Sequence, residues 1–305
     1  GDADLAVADM SESRVSILLG TGTGSFGAPL GLTAAGGTCD IRADDFNGDW
    51  IPDLVAANDI GSLSVFIGDG DGTFQPALSL PVGFAAMSVR TSDLDDDGNR
   101  DLIALDWWGR VVPFRGNGNG TFTPLGAFSC GLDGDAYPCA LGVDDLDGDF
   151  VPDAVVGFGY ANRISRLPGR GDGTFGPPVM LPCEHPLRHV ELADMNEDGW
   201  NDLVAGGFET YSVGVFAGDG TGSFIAPQTW GGTAHGNRRF CVADLNRDQV
   251  PDVAVANYDS DNVSVLLGRW VPSGVPTPDL PRGLRLVPSP NPAGPTGAAL
   301  RFELA

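Results

Sequence analysis

Apolar residues fall along the chain in short runs cut by clusters of Gly, Asp, Asn and Pro, and the runs recur in a fixed order. Each unit opens with a short alternating run: Ile41 to Ala43, Val89 to Thr91, Val190 to Leu192, Phe240 to Val242. An Asp-rich loop follows, and then a more apolar run: Leu54 to Ala57, Leu102 to Leu105, Leu203 to Ala205, Val253 to Ala256. A third run (Val15 to Leu19, Leu63 to Ile67, Val263 to Leu267) ends in a Gly-rich turn closed by Phe26, Phe74, Phe122, Phe175 or Phe224. A fourth, Pro-flanked run completes the unit. Runs this short, rich in Val, Leu and Ile and bounded by turn residues, predict strands.

The loops set the period. Five segments match D-x-[DN]-x-D-x-x-x-D, and their first residues, Asp45, Asp93, Asp145, Asp194 and Asp244, lie 48, 52, 49 and 50 positions apart. Four strands per period of about this length predict a propeller blade. The fold class expected is therefore all-β: a β-propeller of four-stranded antiparallel blades, with about six blade repeats in this chain. One such sheet cannot bury both of its faces alone, so blades must stack.

The loop chemistry points to a hard cation. Positions 1, 3, 5 and 9 are Asp45, Asn47, Asp49 and Asp53; Asp93, Asp95, Asp97 and Asp101; Asp145, Asp147, Asp149 and Asp153; Asp194, Asn196, Asp198 and Asp202; Asp244, Asn246, Asp248 and Asp252. A coiled loop brings such side chains to one point, and position 7 (Ile51, Asn99, Val151, Trp200, Val250) offers its carbonyl. Oxygen-only donors with three or four carboxylates favour calcium over magnesium. An EF-hand would need Glu at position 12, where Ala56, Ala104, Val156, Ala205 and Val255 stand. Asp2 and Asp4 align with the second half of a further copy, Asp4 at position 9. Asp-capped hairpins without metal are the plain alternative, but a turn needs one or two such residues rather than four at fixed positions.

Composition sharpens this picture. The 41 acids are 35 Asp and 6 Glu, and all 17 cations are Arg, so there is no lysine for a Schiff base or a phosphate loop. A net charge of −24 argues against nucleic acid and anionic membranes as partners. No stretch is apolar enough for a membrane-spanning helix. Five divalent ions in the loops would raise −24 to −14, relieving self-repulsion.

With the phased Asp loops and the residues after the Gly-rich turns (Phe26-Gly-Ala-Pro29, Phe74-Gln-Pro76, Phe175-Gly-Pro177, Phe224-Ile-Ala-Pro227), the chain resembles the FG-GAP/VCBS repeat family, which includes the integrin alpha-subunit head. The resemblance covers residues 1–268 and implies a propeller, usually seven-bladed, with structural calcium at about five sites in the hairpin between the first two strands of a blade. It implies further that the first blade is truncated here. Residues 269–288 read as a Pro-rich linker. Residues 289–305 resemble the start of an immunoglobulin-like or sorting domain of secreted bacterial proteins, which implies a secreted or cell-surface protein anchored through sequence beyond residue 305.

The connections at the end of a blade opposite the Asp loops carry Trp107, Trp108, Tyr160, Tyr211 and Tyr258, which are the expected contacts for a protein or carbohydrate ligand. Packing between blades is the alternative for each of them. Cys130 and Cys139 bracket a local insertion and are the candidate disulfide, against two buried thiols; Cys39 and Cys241 fit strand packing. Cys183, His185 and His189 have the spacing of a weak transition-metal motif, set aside because no further ligand is in sight. No nucleophile–base arrangement appears, so the expectation is a non-enzymatic, calcium-stabilised binding or adhesion module. The alternatives are a domain of a larger secreted enzyme, with Glu184, His185, His189, Glu209 and His235 as the non-repeat groups, or a structural spacer.

Overall fold

In the computed structural model, the described residues are 2–132, 137–183, 187–207, 212–225, 228–231, 237–257, 260, 262–268, 270–271, 283–284 and 287–288. They hold no α-helix, and their strands form antiparallel sheets in chain order. The chain divides into two compact units, one built chiefly from residues 1–134 with 169–176 and the other from 135–168 with 177–297.

In the first unit, β1 (Leu5–Asp9), β2 (Arg14–Leu18) and β3 (Leu30–Thr33) make a three-stranded sheet. β4 (Thr38–Asp44), β5 (Asp53–Asn58), β6 (Ser62–Phe66) and β7 (Leu78–Pro81) make a four-stranded one in sequential order. β8 (Ala86–Ser92), β9 (Asp101–Asp106), β10 (Arg110–Gly116) and β11 (Phe122–Pro124) repeat it, with β12 (Phe128–Ser129) also pairing with β10. The second unit holds β13 (Pro138–Asp144) to β16 (Val179–Pro182), with β14 (Asp153–Phe158) and β15 (Arg163–Leu167) between them. It also holds β17 (Leu187–Ala193), β18 (Asp202–Gly207), β19 (Ser212–Phe216) and β20 (Gln228–Gly231), followed by β21 (Asn237–Ala243), β22 (Asp252–Asn257) and β23 (Asn262–Leu267).

Burial explains the difference between alternating and continuous apolar runs. β5, β9, β14 and β18 are buried at every residue, whereas β7 is largely exposed. A strand covered on both faces reads as an unbroken apolar run. Sheets share cores in pairs: Val55, Leu63 and Val65 pack with Val89, Leu102 and Phe114 in the first unit. Val155 and Ile164 pack with Val190 and Leu203 in the second.

One regular feature was not expected. The strand that precedes each complete Asp loop carries a bulge after its first residue, with register shifts at Thr38/Asp40, Ala86/Ser88, Pro138/Ala140, Leu187/His189 and Asn237/Arg239. The bulged residue is left out of the ladder and the strand twists more strongly there.

Candidate metal centres in the Asp loops

Each Asp loop joins the first two strands of its sheet, and its acids first organise the loop's own backbone. Asp45 Oδ1 accepts the N–H groups of Asn47 and Gly48 at 3.2 and 2.8 Å, and Oδ2 accepts that of Trp50 at 2.8 Å. Asp93, Asp145, Asp194 and Asp244 do the same from position 6, accepting Gly98, Phe150, Gly199 and Gln249. These donors hold Asp45 below the usual carboxylate range although burial alone would raise it. At position 5, Asp49, Asp97, Asp149, Asp198 and Asp248 accept the N–H of position 7, which coils the loop and turns its side chains inward.

Position 9 is buried in all five loops. Asp53 accepts Phe46 N–H at 2.9 Å and Gly68 N–H at 2.8 Å. Asp101, Asp202 and Asp252 accept the equivalent pairs, Leu94 with Gly116, Met195 with Gly218, and Leu245 with Gly268. Asp4 accepts Gly20 N–H at 2.7 Å, as its alignment with position 9 requires, while Asp2 is exposed. Burial, outweighing these hydrogen bonds, pushes Asp101 up to about 6 and Asp202 up to about 7, and raises Asp53 and Asp252. The neighbouring loop acids add to each shift.

Position 3 shows whether the loops suit a cation. Where it is Asn, the amide is used internally: Asn47 Nδ2 and Asn196 Nδ2 each donate to the position-5 carboxylate at 2.9 Å. Asn246 Oδ1 accepts Asp248 N–H at 2.8 Å. Where it is Asp, one oxygen is orphaned, since Asp95 Oδ1 and Asp147 Oδ1 are buried without a partner. Ligand oxygens of Asp93, Asp95 and Asp101 lie within 4.8 Å of one another, as do those of Asp145, Asp147 and Asp149. A buried, unpaired carboxylate oxygen facing other carboxylates is costly unless a cation meets it. The donor set therefore fits a hard divalent ion, which would be held by positions 1, 3, 5 and 9 and would supply charge neutralisation. In the third loop Arg166 also reaches Asp147 and Asp153.

The opposite end of the sheets carries the predicted aromatics. Trp107 and Trp108, in the β9–β10 hairpin, are 40% and 47% exposed. Trp108 meets Phe84 edge-on at 5.7 Å, and the Arg110 guanidinium lies 4.8 Å over the Phe84 ring. Asp106 fixes this corner, accepting Trp108 N–H at 3.0 Å and Arg110 Nε at 2.6 Å. Tyr160 is exposed against Tyr137 at 5.4 Å. Tyr211, Tyr258, Glu184, His185, Glu209 and His235 lie outside the described residues.

The expected Cys130–Cys139 disulfide is not formed; both are free thiols. Cys139 is the bulged residue of β13, and its Sγ donates to Leu187 O at 2.7 Å. Cys130 is buried, with its N–H on Gly109 O at 2.9 Å. Burial pushes both thiols up to about 12. His189 is buried, with Nε2 3.0 Å from Glu191 Oε1 and its ring edge-on to Phe240 at 4.7 Å.

Side-chain features also escaped sequence reasoning. Asp40 is buried between Arg42 (3.2 Å) and Arg90 (3.0 Å) and also accepts Ser88 Oγ at 2.6 Å. Trp50 and Phe150, at position 6 of their loops, are 93% and 92% exposed with φ of 66°. The available signal was an aromatic where two other loops place Gly98 and Gly199.

The comparisons agree with this architecture. A family model described as FG-GAP-like repeat matches residues 45–104, 93–156, 145–205 and 194–255. No curated protein matches the chain. Among solved structures, a candidate 6-phosphogluconolactonase from Bacteroides uniformis aligns with a TM-score of 0.66 at 13% identity, covering 94% of this chain and 83% of that one. An Agrocybe aegerita lectin, described as recognising non-reducing terminal N-acetylglucosamine, aligns at 0.56 and 20% identity, covering 88% and 73%. BBS1N, solved in complex with ARL6DN, aligns at 0.58 and 12% identity, covering 86% and 73%. At these identities the likeness concerns the fold alone, which is of the all-β propeller type. On the matched residues, the chain belongs to the FG-GAP-like repeat family.

Proposed function

We propose that this protein is a calcium-stabilised, extracellular binding or adhesion module that meets a protein or carbohydrate ligand at the end of its sheets opposite the Asp loops. The observation that carries the reading is the exposed group of Trp107, Trp108 and Phe84 edged by Arg110. Rigid aromatics beside a guanidinium offer a stacking surface for a sugar ring or an anchor site for a protein side chain. A lectin among the structural neighbours is consistent with this use of the fold. Loops whose donor set fits calcium are in keeping with an extracellular setting, whose modules bind it with a Kd of about 10⁻⁴ to 10⁻³ M.

The test is a screen of the protein, in calcium, against a glycan array and a panel of extracellular-matrix proteins, repeated with Trp108→Ala. Hits lost in the variant at unchanged melting temperature support the reading. Hits that survive place the ligand elsewhere, and a screen with no hits in either class overturns the binding role.

A further inference from the structure

Arg166 stands on a strand where its counterparts are apolar. The β14–β15 ladder pairs Val155 with Arg166. The same step in the other sheets pairs Ala6 with Ile17, Val55 with Val65, Ile103 with Pro113, Val204 with Val215, and Ala254 with Val265. The arginine side chain is nevertheless buried, and it runs into the Asp loop of its own sheet. Its Nη2 contacts Asp147 Oδ2 and lies 2.7 Å from Asp153 Oδ2, while Nε donates to Asp153 Oδ2 at 2.9 Å. Those carboxylates are positions 3 and 9 of the third loop.

The neighbouring sheet covers the guanidinium. Gly222 donates its N–H to Leu146 O at 2.8 Å, and a Cβ at Gly222 would collide with Arg166. The arginine is thus enclosed by a turn that leaves room for it. The second loop, which has the same four acids, is the internal control. Position 3 leaves one oxygen unpaired in both loops, Asp95 Oδ1 and Asp147 Oδ1, but the position-9 Asp101 is held by backbone N–H groups of Leu94 and Gly116 where Asp153 is held by the guanidinium.

We propose that Arg166 is the built-in cation of the third loop, taking the position-3 and position-9 carboxylates so that this loop closes without calcium or binds it much more weakly than the others. The proposal rests on the calcium reading of the remaining loops. Asp145, Asp147 and Asp149 still converge, so the loop keeps the shape of an ion site. What it lacks is free charge: a divalent ion would share Asp147 and Asp153 with a fixed guanidinium, and the two cations repel at close range in a buried setting. Arginine suits this role because it stays protonated and its planar fork can bridge two carboxylates.

Counting bound calcium on the full chain by native mass spectrometry and calorimetry tests this. The expectation is four ions for the five complete loops in the wild type and one more in Arg166→Val, which installs the residue found at three equivalent positions. Should Arg166→Val not fold, a second pair decides. Asp95→Ala, which removes the position-3 oxygen donor, should lose one ion, whereas Asp147→Ala should lose none and should lower the melting temperature measured in chelator. Five ions in the wild type, with one lost in Asp147→Ala, overturn the proposal and leave the calcium reading intact. No bound ion in the wild type overturns the calcium reading, and the proposal with it.

Discussion

Asp53 accepts the N–H of Gly68 at 2.8 Å, fifteen residues further along the chain, and so ties the end of an Asp loop to the start of a Gly-rich turn. Gly68 is pressed against that loop: a methyl group there would run into the carbonyl oxygen of Pro52. Gly116, Gly218 and Gly268 meet the carbonyls of Arg100, Asn201 and Pro251 in the same way. Gly68→Ala is therefore expected to cost about 2 kcal/mol from forced overpacking, read as a lower urea midpoint at unchanged slope. An unaltered midpoint would show that the turn can move away from the loop freely.

The buried position-9 acids set a pH dependence whose sign differs with and without calcium. Asp101 and Asp202 rise from 3.8 to about 6 and about 7 on folding, chiefly through burial. The folded state then binds protons more tightly than the unfolded chain, so calcium-free stability falls as pH rises from about 4 to about 7. Calcium needs these groups ionised, and its affinity should rise over the same interval. The drop in melting temperature caused by chelator should accordingly be larger at pH 7.5 than at pH 5.5. A chelator effect independent of pH would mean that these carboxylates do not meet the ion.

Asp40 is the shared acceptor of two guanidinium groups, and it also accepts Ser88 Oγ–H and the N–H groups of Ile41 and Val89. Asp40→Ala should destabilise the first unit by about 3–5 kcal/mol, because it leaves two buried or half-buried cations facing each other. Thermal unfolding of Asp40→Ala alone and combined with Arg90→Met separates the causes. Partial rescue in the double variant identifies stranded charge as the source, and no rescue identifies lost packing instead.

Trp50 holds a left-handed backbone conformation that suits glycine, and its side chain contributes almost no burial. Trp50→Gly should raise stability by up to about 1 kcal/mol, the left-handed penalty less glycine's entropy cost. Loss of stability in this variant would mean that the indole makes an interaction beyond the loop.

The parts of this structure that repeat were legible in the sequence, because a period near 49 residues multiplies a weak strand signal five times over. The Asp loops and the assignment of Asp4 to position 9 followed from phase alone, and the hydrogen bond from Gly20 agrees. The parts that depend on a neighbouring strand were hidden. Spacing made Cys130 and Cys139 look like a pair, but a bulge directs Cys139 to Leu187, 48 positions away. Asp40 finds Arg90 of the next sheet across 50 positions and Arg166 finds Asp147 across 19, and neither contact has a sequence signal because each depends on how side chains pack in three dimensions. Trp50 and Phe150 were passed over because their loop was read for its acids.

The Gly120 N–H reaches the Phe46 carbonyl of the preceding sheet, as Gly222 reaches Leu146. The natural module is therefore staggered relative to the sheet, since a loop is finished by the turn of the repeat that comes after it. A duplication or recombination that copies whole periods keeps every such pairing, whatever its starting point. One that adds or removes part of a period parts a loop from its closing turn, which constrains how repeat arrays of this kind can be lengthened, shortened or spliced.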